Sequence, residues 1–293
     1  MDLVQQVDGS FMPLLGGSPY NLCCATSLQG VRVGYLNPFS SDDFGKILKS
    51  FLVKSGAEAL SPASTKPTSL AVVSLNKGEA SYGFYREGIA DRDYTVEGVV
   101  RILERHPPGV LHTGSLMFVP PEHEKIILIL QVAKKLGWTI SIDVNLRPKV
   151  SYNFRSYLSA LMAVTAYADW LKASDEDLQL MGFQNTVLDH ADGLAKYWRD
   201  KGCQRIALTF GEQGAYLYSD QNHISGAAPK IDVVDTIGAG DVFWATCLAD
   251  WMKDPSSPQT YDKLHSTLRR ALKAAAITCS RKGCVPPYSH ELI

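Results

Sequence analysis

A chain of 293 residues with 45% hydrophobic and 20% charged residues is long enough for one large α/β domain or two ordinary ones. Its balance excludes disordered, collagen-like and coiled-coil proteins. Lysine and arginine number 29 against 30 acidic residues, for a formal net charge of -1, so the basic excess expected of a nucleic-acid binder is missing. The longest strongly apolar stretch, 126–133, is broken by Gln131 and followed by Lys134 and Lys135, well short of the ~20 residues that cross a bilayer. The six cysteines contain no Cys-x-x-Cys pair, and the first residues lack the basic and apolar regions of a secretory signal. Reduced thiols in a cytoplasmic protein are therefore expected. The histidines form no His-x-x-x-His pair, which leaves a structural zinc site without support.

Residues 4–15 stand apart from any helical pattern, and a helix is expected over 19–28, followed by a strand over 31–36 and a helix over 43–54. A hairpin follows, 70–75 and 80–86 around the turn Asn76-Lys77-Gly78-Glu79. From there strands (109–112, 139–144, 170–172, 206–210, 230–234) alternate with helices (96–104, 121–136, 154–167, 190–201, 239–252, 261–280), with a loop at 254–259. Gly30, Gly56, Gly137 and Gly202 stand just past helix ends, where glycine relieves a left-handed conformation. The alternation predicts a doubly wound body, a parallel sheet with helices on both faces. The hairpin and 4–15 form either a small sheet acting as a lid over the carboxyl ends of the strands or an ornamental excursion.

The chemistry concentrates in Asp235-Thr236-Ile237-Gly238-Ala239-Gly240-Asp241, which follows the expected strand and opens an apolar helix. Small residues at a helix N-terminus leave backbone N–H groups open to an anion, and the helix dipole favours negative charge there. Gly238, Ala239 and Gly240 would cradle a phosphate. An aspartate beside that cradle repels a static phosphate, so Asp241 is read as a general base for a nucleophile attacking it. The plainer alternative is a tight turn with Asp241 stabilising the first helical turn. No Gly-x-x-x-x-Gly-Lys-Ser/Thr loop occurs, nor a dinucleotide fingerprint.

With this stretch in view, the chain resembles the ribokinase/PfkB-type carbohydrate kinases over residues 2 to about 283. Asp235 to Asp241 is similar to that family's C-terminal signature, and Gly16-Gly17-Ser18-Pro19-Tyr20-Asn21 to its N-terminal glycine motif. Further matches are Asp42-Asp43-Phe44-Gly45, Asp143-Val144-Asn145-Leu146-Arg147, Lys172-Ala173-Ser174-Asp175-Glu176-Asp177, Thr209-Phe210-Gly211-Glu212-Gln213-Gly214-Ala215 and Ser280-Arg281-Lys282-Gly283. The resemblance implies a ribokinase-like α/β fold, doubly wound with a mostly parallel sheet. It also implies a single unit over 1–293 with a small β-sheet lid from about 4–15 and 68–93.

The activity so implied is transfer of the γ-phosphoryl group of ATP to a sugar hydroxyl. Asp241 matches the catalytic base, Gly238, Ala239 and Gly240 the anion hole, and Arg147 a cation at the transferring phosphate. Asp2, Gly16, Gly17, Asn21 and Asn145 match sugar contacts. Lys172, Ser174, Thr209, Gly211, Gly214, Gly238, Gly240, Ala275, Cys279 and Gly283 match the nucleotide side. Magnesium would accompany ATP with Asp177 as an outer carboxylate, and Asp235 matches a place where some members bind potassium. Two departures stand out. Ser174 to Asp177 replaces a more usual Asn-x-x-Glu, and the strand carrying Asp2 is short.

The stretch 82–92 resembles fructokinases, with Tyr85 and Arg86 placed against the sugar, so the partners expected are ATP and fructose. Arg86 also suits an acidic sugar such as 2-keto-3-deoxygluconate, which is the alternative substrate. A non-catalytic nucleotide- or sugar-binding regulator is the alternative of another class, and the intact base argues against it. No nucleic acid or membrane partner is expected, and unpaired lid edges suggest a homodimer.

Overall fold

The computed structural model describes residues 1–6, 8–76, 79–253 and 259–292. Val7, the turn residues Lys77 and Gly78, and most of the 254–259 loop lie outside the described residues, as do the side chains of 75–82. In chain order the elements are β1 (Asp2–Gln5), β2 (Phe11–Leu14), α1 (Ser18–Leu28), β3 (Gly34–Tyr35), α2 (Asp43–Lys54), β4 (Glu58–Ala59), β5 (Leu70–Asn76) and β6 (Glu79–Tyr85). Next come α3 (Val96–Glu104), β7 (Val110–Gly114), α4 (Glu122–Lys135), β8 (Thr139–Asp143), α5 (Phe154–Thr165), β9 (Trp170–Ser174) and α6 (Asp175–Leu180). The chain ends with α7 (Ala191–Arg199), β10 (Arg205–Thr209), β11 (Ala215–Ser219), β12 (Asn222–Gly226), α8 (Ala239–Lys253) and α9 (Tyr261–Cys279).

The main sheet runs β12-β11-β10-β9-β8-β7, parallel from β7 to β10 and antiparallel at its β11 and β12 edge. Strands buried on both faces need apolar residues at nearly every position, and β10 shows how the two faces divide. Ile206 and Leu208 join the core with α3, α4, α5 and α7, whereas Ala207 faces the core built from α1, α8 and α9. The doubly wound expectation therefore holds. Among the described residues no helix is long and apolar enough to cross a membrane.

A second sheet, in the order β2-β1-β5-β6, stands apart and brings together 4–15 and the hairpin, as expected. Asp2 lies in this small sheet, opposite Leu14 on one side and Ala71 on the other. Its strand is thus part of the small sheet rather than of the body.

Two further expectations are corrected, and one hairpin had no counterpart among them. The strand over 31–36 contracts to β3, which among the described residues pairs only with β4. A cavity of about 400 Å³, lined among others by 33–37 and 109–113, separates that pair from β7. Residues 230–234 form no strand; Val233 and Val234 are exposed, and the segment is tied down where the Val234 and Asp235 amides donate to the Cys279 carbonyl. The β11–β12 hairpin escapes notice because its turn residues, Asp220 and Gln221, both adopt positive φ without a glycine, removing the usual sequence signal.

Candidate active site

At the carboxyl ends of β7 to β10, beneath the small sheet, lies a cavity of about 1770 Å³. It is where a doubly wound sheet places its ligands. Three segments distant in sequence meet there: the turn from β2 into α1, the turn after β8, and the start of α8.

The start of α8 is built as its small residues require. Gly238 has φ of 77°, and a Cβ added there would meet the Cys284 Sγ at 2.2 Å. Both the conformation and the close approach therefore demand glycine. The amides of Gly240 and Asp241 belong to the first helical turn, where the helix supplies no acceptor. Behind them lies Lys172, whose Nζ would be 3.2 Å from a Cβ on Gly240. Its ammonium is buried on β9 and donates to both Asp143 oxygens at 3.0 and 3.1 Å. Burial opposes that charge, but Asp143, Asp177 and Asp241 outweigh it and hold the Lys172 pKa above its ordinary value. A fixed cation under open amides is an arrangement that attracts anions.

Asp241 is 6% exposed and held by both oxygens: Ser18 donates to Oδ1 at 2.7 Å and Asn21 donates to Oδ2 at 2.8 Å. Burial raises its pKa above the ordinary carboxylate value, against the pull of those two hydrogen bonds, Lys172 and Arg147. Gly17 precedes α1 and Gly16 packs on Asp2 so closely that a Cβ there would stand 2.0 Å from Asp2 Oδ2. Burial also raises the Asp2 carboxyl, with Asp241 and Asp235 adding to the effect. Asn145, with a left-handed φ of 40°, and Arg147, whose Nη1 donates to the Leu146 carbonyl at 2.8 Å, line the cavity after β8.

Ser174, Thr209, Gly211, Gly214, Ala275 and Cys279 line the far end, with Ile231 and Val233 beside them. Ser174 and Asp177 close a capping box on α6, and Asp177 also accepts the Leu146 amide at 2.7 Å. Both Asp177 oxygens are thereby engaged by the protein. Glu176 and Glu212 are exposed carboxylates on this wall.

Of the residues named from sequence, three do not line the cavity. Tyr85 is 65% exposed; alternation along β6 turns it away and places Phe84 and Arg86 on the cavity side. Counting back two residues from Arg86 would have found Phe84. Gly283 and Asp235 bind each other behind the wall: the Gly283 amide donates to Asp235 Oδ2 at 2.9 Å, and the Ile237 amide donates to Oδ1 at 3.0 Å. Sequence reading also left Ser18 and the Asp143 partner of Lys172 without a role. A hydroxyl beside the glycine motif, and charged residues on strands buried on both faces, were the available signals.

The profile described as pfkB family carbohydrate kinase matches residues 7–291. Fructokinase-1 of Zea mays is 31% identical over 289 residues, covering 96% of this chain and 87% of that protein. A fructokinase of Rhizobium leguminosarum bv. trifolii is 32% identical over 245 residues, 83% of this chain and 73% of its own length. Among solved structures, an ATP-bound fructokinase from Xylella fastidiosa superposes with a TM-score of 0.85 at 24% identity, covering 99% of this chain and 94% of that one. A fructokinase from Vibrio cholerae O395 with fructose, ADP and calcium does so at 0.82 and 22% identity, over 97% and 91%.

Proposed function

Since the chain belongs to the pfkB family of carbohydrate kinases, we propose that it phosphorylates fructose, with Asp241 as the base and the start of α8 as the phosphate cradle. It is an ATP-dependent carbohydrate kinase with a ribokinase-like fold. The observation that carries the finer reading is the Asp241 carboxylate, buried at the open end of α8 and oriented by Ser18 and Asn21.

In the proposed step the sugar hydroxyl gives its proton to Asp241, and its oxygen bonds to the γ-phosphorus as the bond to the β,γ-bridging oxygen breaks, releasing ADP. The first-turn amides at Gly240 and Asp241, with Lys172 behind them, would stabilise charge on the transferring group, and Arg147 would face it from the opposite wall. Asp2, Gly16, Gly17, Asn21 and Asn145 would hold the sugar. Thr209, Gly211, Gly214, Ala275 and Cys279 would border the nucleotide, with the exposed apolar residues Ile231 and Val233 a ledge for its base. The small sheet would act as the lid of one kinase unit by excluding water on closure.

Magnesium bound with ATP would neutralise phosphate charge. The cavity fits an ion held through phosphates and water rather than a protein cage, with Glu176 facing it and Asp177 ordering the wall. At Asp235, amides of Ile237 and Gly283 order the loop whose carbonyls would take potassium. All six cysteines are free, which suits a reducing cytoplasm.

The test is coupled ADP release with Mg-ATP against fructose, 2-keto-3-deoxygluconate, ribose and glucose, in potassium and in sodium buffers. Turnover on fructose above the rest, faster in potassium, is expected. Preference for the acidic sugar would overturn the fructose assignment.

A further inference from the structure

Near the end of the lid hairpin, the cavity wall holds polar atoms that the phosphoryl transfer leaves unused. The Arg86 side chain is 10% exposed, and its Nη1 donates to the Leu116 carbonyl at 3.1 Å. Among the described residues, its Nε and Nη2 are buried without a hydrogen-bond partner. Asp91 faces it, with Oδ2 3.7 Å from Nη2, an ion pair too long for a hydrogen bond, and Oδ1 is likewise buried and unpartnered. Both residues line the cavity. Asn37 fixes the Asp91 backbone by donating to its carbonyl at 2.8 Å.

The Met1 ammonium and Arg92 also act on the Asp91 carboxylate, while the hydrogen bonds and ion pairs of the other neighbouring charges go elsewhere. Arg92 donates to Glu122 and to the Arg86 carbonyl, Lys125 faces Glu122, and Lys66 pairs with Asp93. Unmade hydrogen bonds on buried groups are costly, so two open donors beside one open acceptor describe what the ligand must offer there. A sugar hydroxyl donates and accepts at once, and a pair of hydroxyls matches all three atoms.

We propose that Arg86 and Asp91 form a subsite for hydroxyls of the sugar remote from the reacting one, and that Asp91 makes the enzyme choose neutral sugars over sugar acids. This rests on the carbohydrate-kinase reading of the same cavity. A carboxylate could pair with the Arg86 fork only by lying against the Asp91 carboxylate. With the Arg86 side chain 10% and the Asp91 side chain 28% exposed, solvent screens that repulsion only in part, and discrimination of this kind works by penalising the wrong ligand.

The experiment measures fructose and 2-keto-3-deoxygluconate on the parent protein, Asp91→Asn and Asp91→Glu, by titration calorimetry and by coupled ADP release. In the Asp91→Asn protein, fructose affinity should fall about tenfold or more, with the KM for ATP unchanged. Its affinity for the sugar acid relative to fructose should rise by at least about tenfold. Asp91→Glu, which keeps the charge, should still refuse the acid. A structural role for Asp91 would weaken both sugars alike and leave their ratio where it was, which overturns the proposal. Stronger parental binding of the acid, or no binding of either sugar, overturns it as well. Parental binding of fructose without ADP release would defeat the transfer reading alone, and the subsite would then be judged from the calorimetric ratios. If Asp91→Asn fails to fold, Asp91→Ser, which also removes the charge, decides: a raised affinity for the acid relative to fructose upholds the proposal and an unchanged ratio overturns it.

Discussion

Asp241 combines two requirements of a base: burial raises its affinity for a proton, and Ser18 and Asn21 keep both oxygens in place. Replacing it by asparagine keeps the shape and removes the proton acceptor. We expect Asp241→Asn to lower kcat by roughly 10²- to 10⁴-fold while ATP still binds, read as coupled ADP release beside a nucleotide titration. Near-parental turnover would remove Asp241 from the mechanism. Because its pKa lies above the usual carboxylate value, the acid limb of kcat/KM should appear above about pH 4. Gly16 offers a second test, since a methyl group there would displace the Asp2 carboxylate from 2.0 Å away. Gly16→Ala should raise the sugar KM about tenfold and leave that of ATP alone; equal effects on both would mean that Asp2 serves the fold rather than the sugar. These glycines and the aspartate were legible in sequence because backbone approach and charge demand particular residue types. Ser18 and Phe84 were not, since a serine or a phenylalanine fits many roles until its neighbours are known.

At the scale of elements, helix ends with side-chain caps were the most legible. The bounds expected for α2 and α3 are those observed, and Asp42 and Thr95 cap them by accepting the Gly45 and Gly98 amides. Asp42 also accepts the Thr68 amide at 2.8 Å and its hydroxyl at 2.7 Å, tying α2 to the segment entering β5. Burial would raise its pKa, but these hydrogen bonds win and hold it at about 2. A depressed folded-state pKa means stability that is present above the unfolded value and lost as pH falls towards the folded one. Asp42→Ala should therefore cost about 1 kcal/mol near neutrality, and the difference should shrink between about pH 4 and 2. Thermal melts across that range check this; a pH-independent difference would exclude the charge as its source. Strands were harder to read than helices. A β-branched run such as 230–234 satisfies the pattern of a buried strand whether or not a neighbour offers it a ladder, and here none does.

At the scale of the molecule, Phe11 and Tyr85 on the small sheet are 45% and 65% exposed. An exposed apolar sheet with unpaired edges favours covering by a second copy. We expect a dimer by light scattering at micromolar concentration, reduced to monomer by charged residues at Phe11 and Tyr85; a monomeric parent would dismiss it. The layered body was determined by the sequence itself, because hydrophobic periodicity and capping are local and each segment carries its own. So was the proposed phosphate cradle, a continuous run of small residues at one helix start. The assembly of the proposed sugar site was decided only by tertiary structure. Asp2, Asn21, Arg86 and Asn145 meet at one cavity because strand pairing and helix packing fold distant segments together. Which face of β6 looks inward, and which charges Lys172 and Arg86 find opposite them, depends on those partners and not on the segments alone.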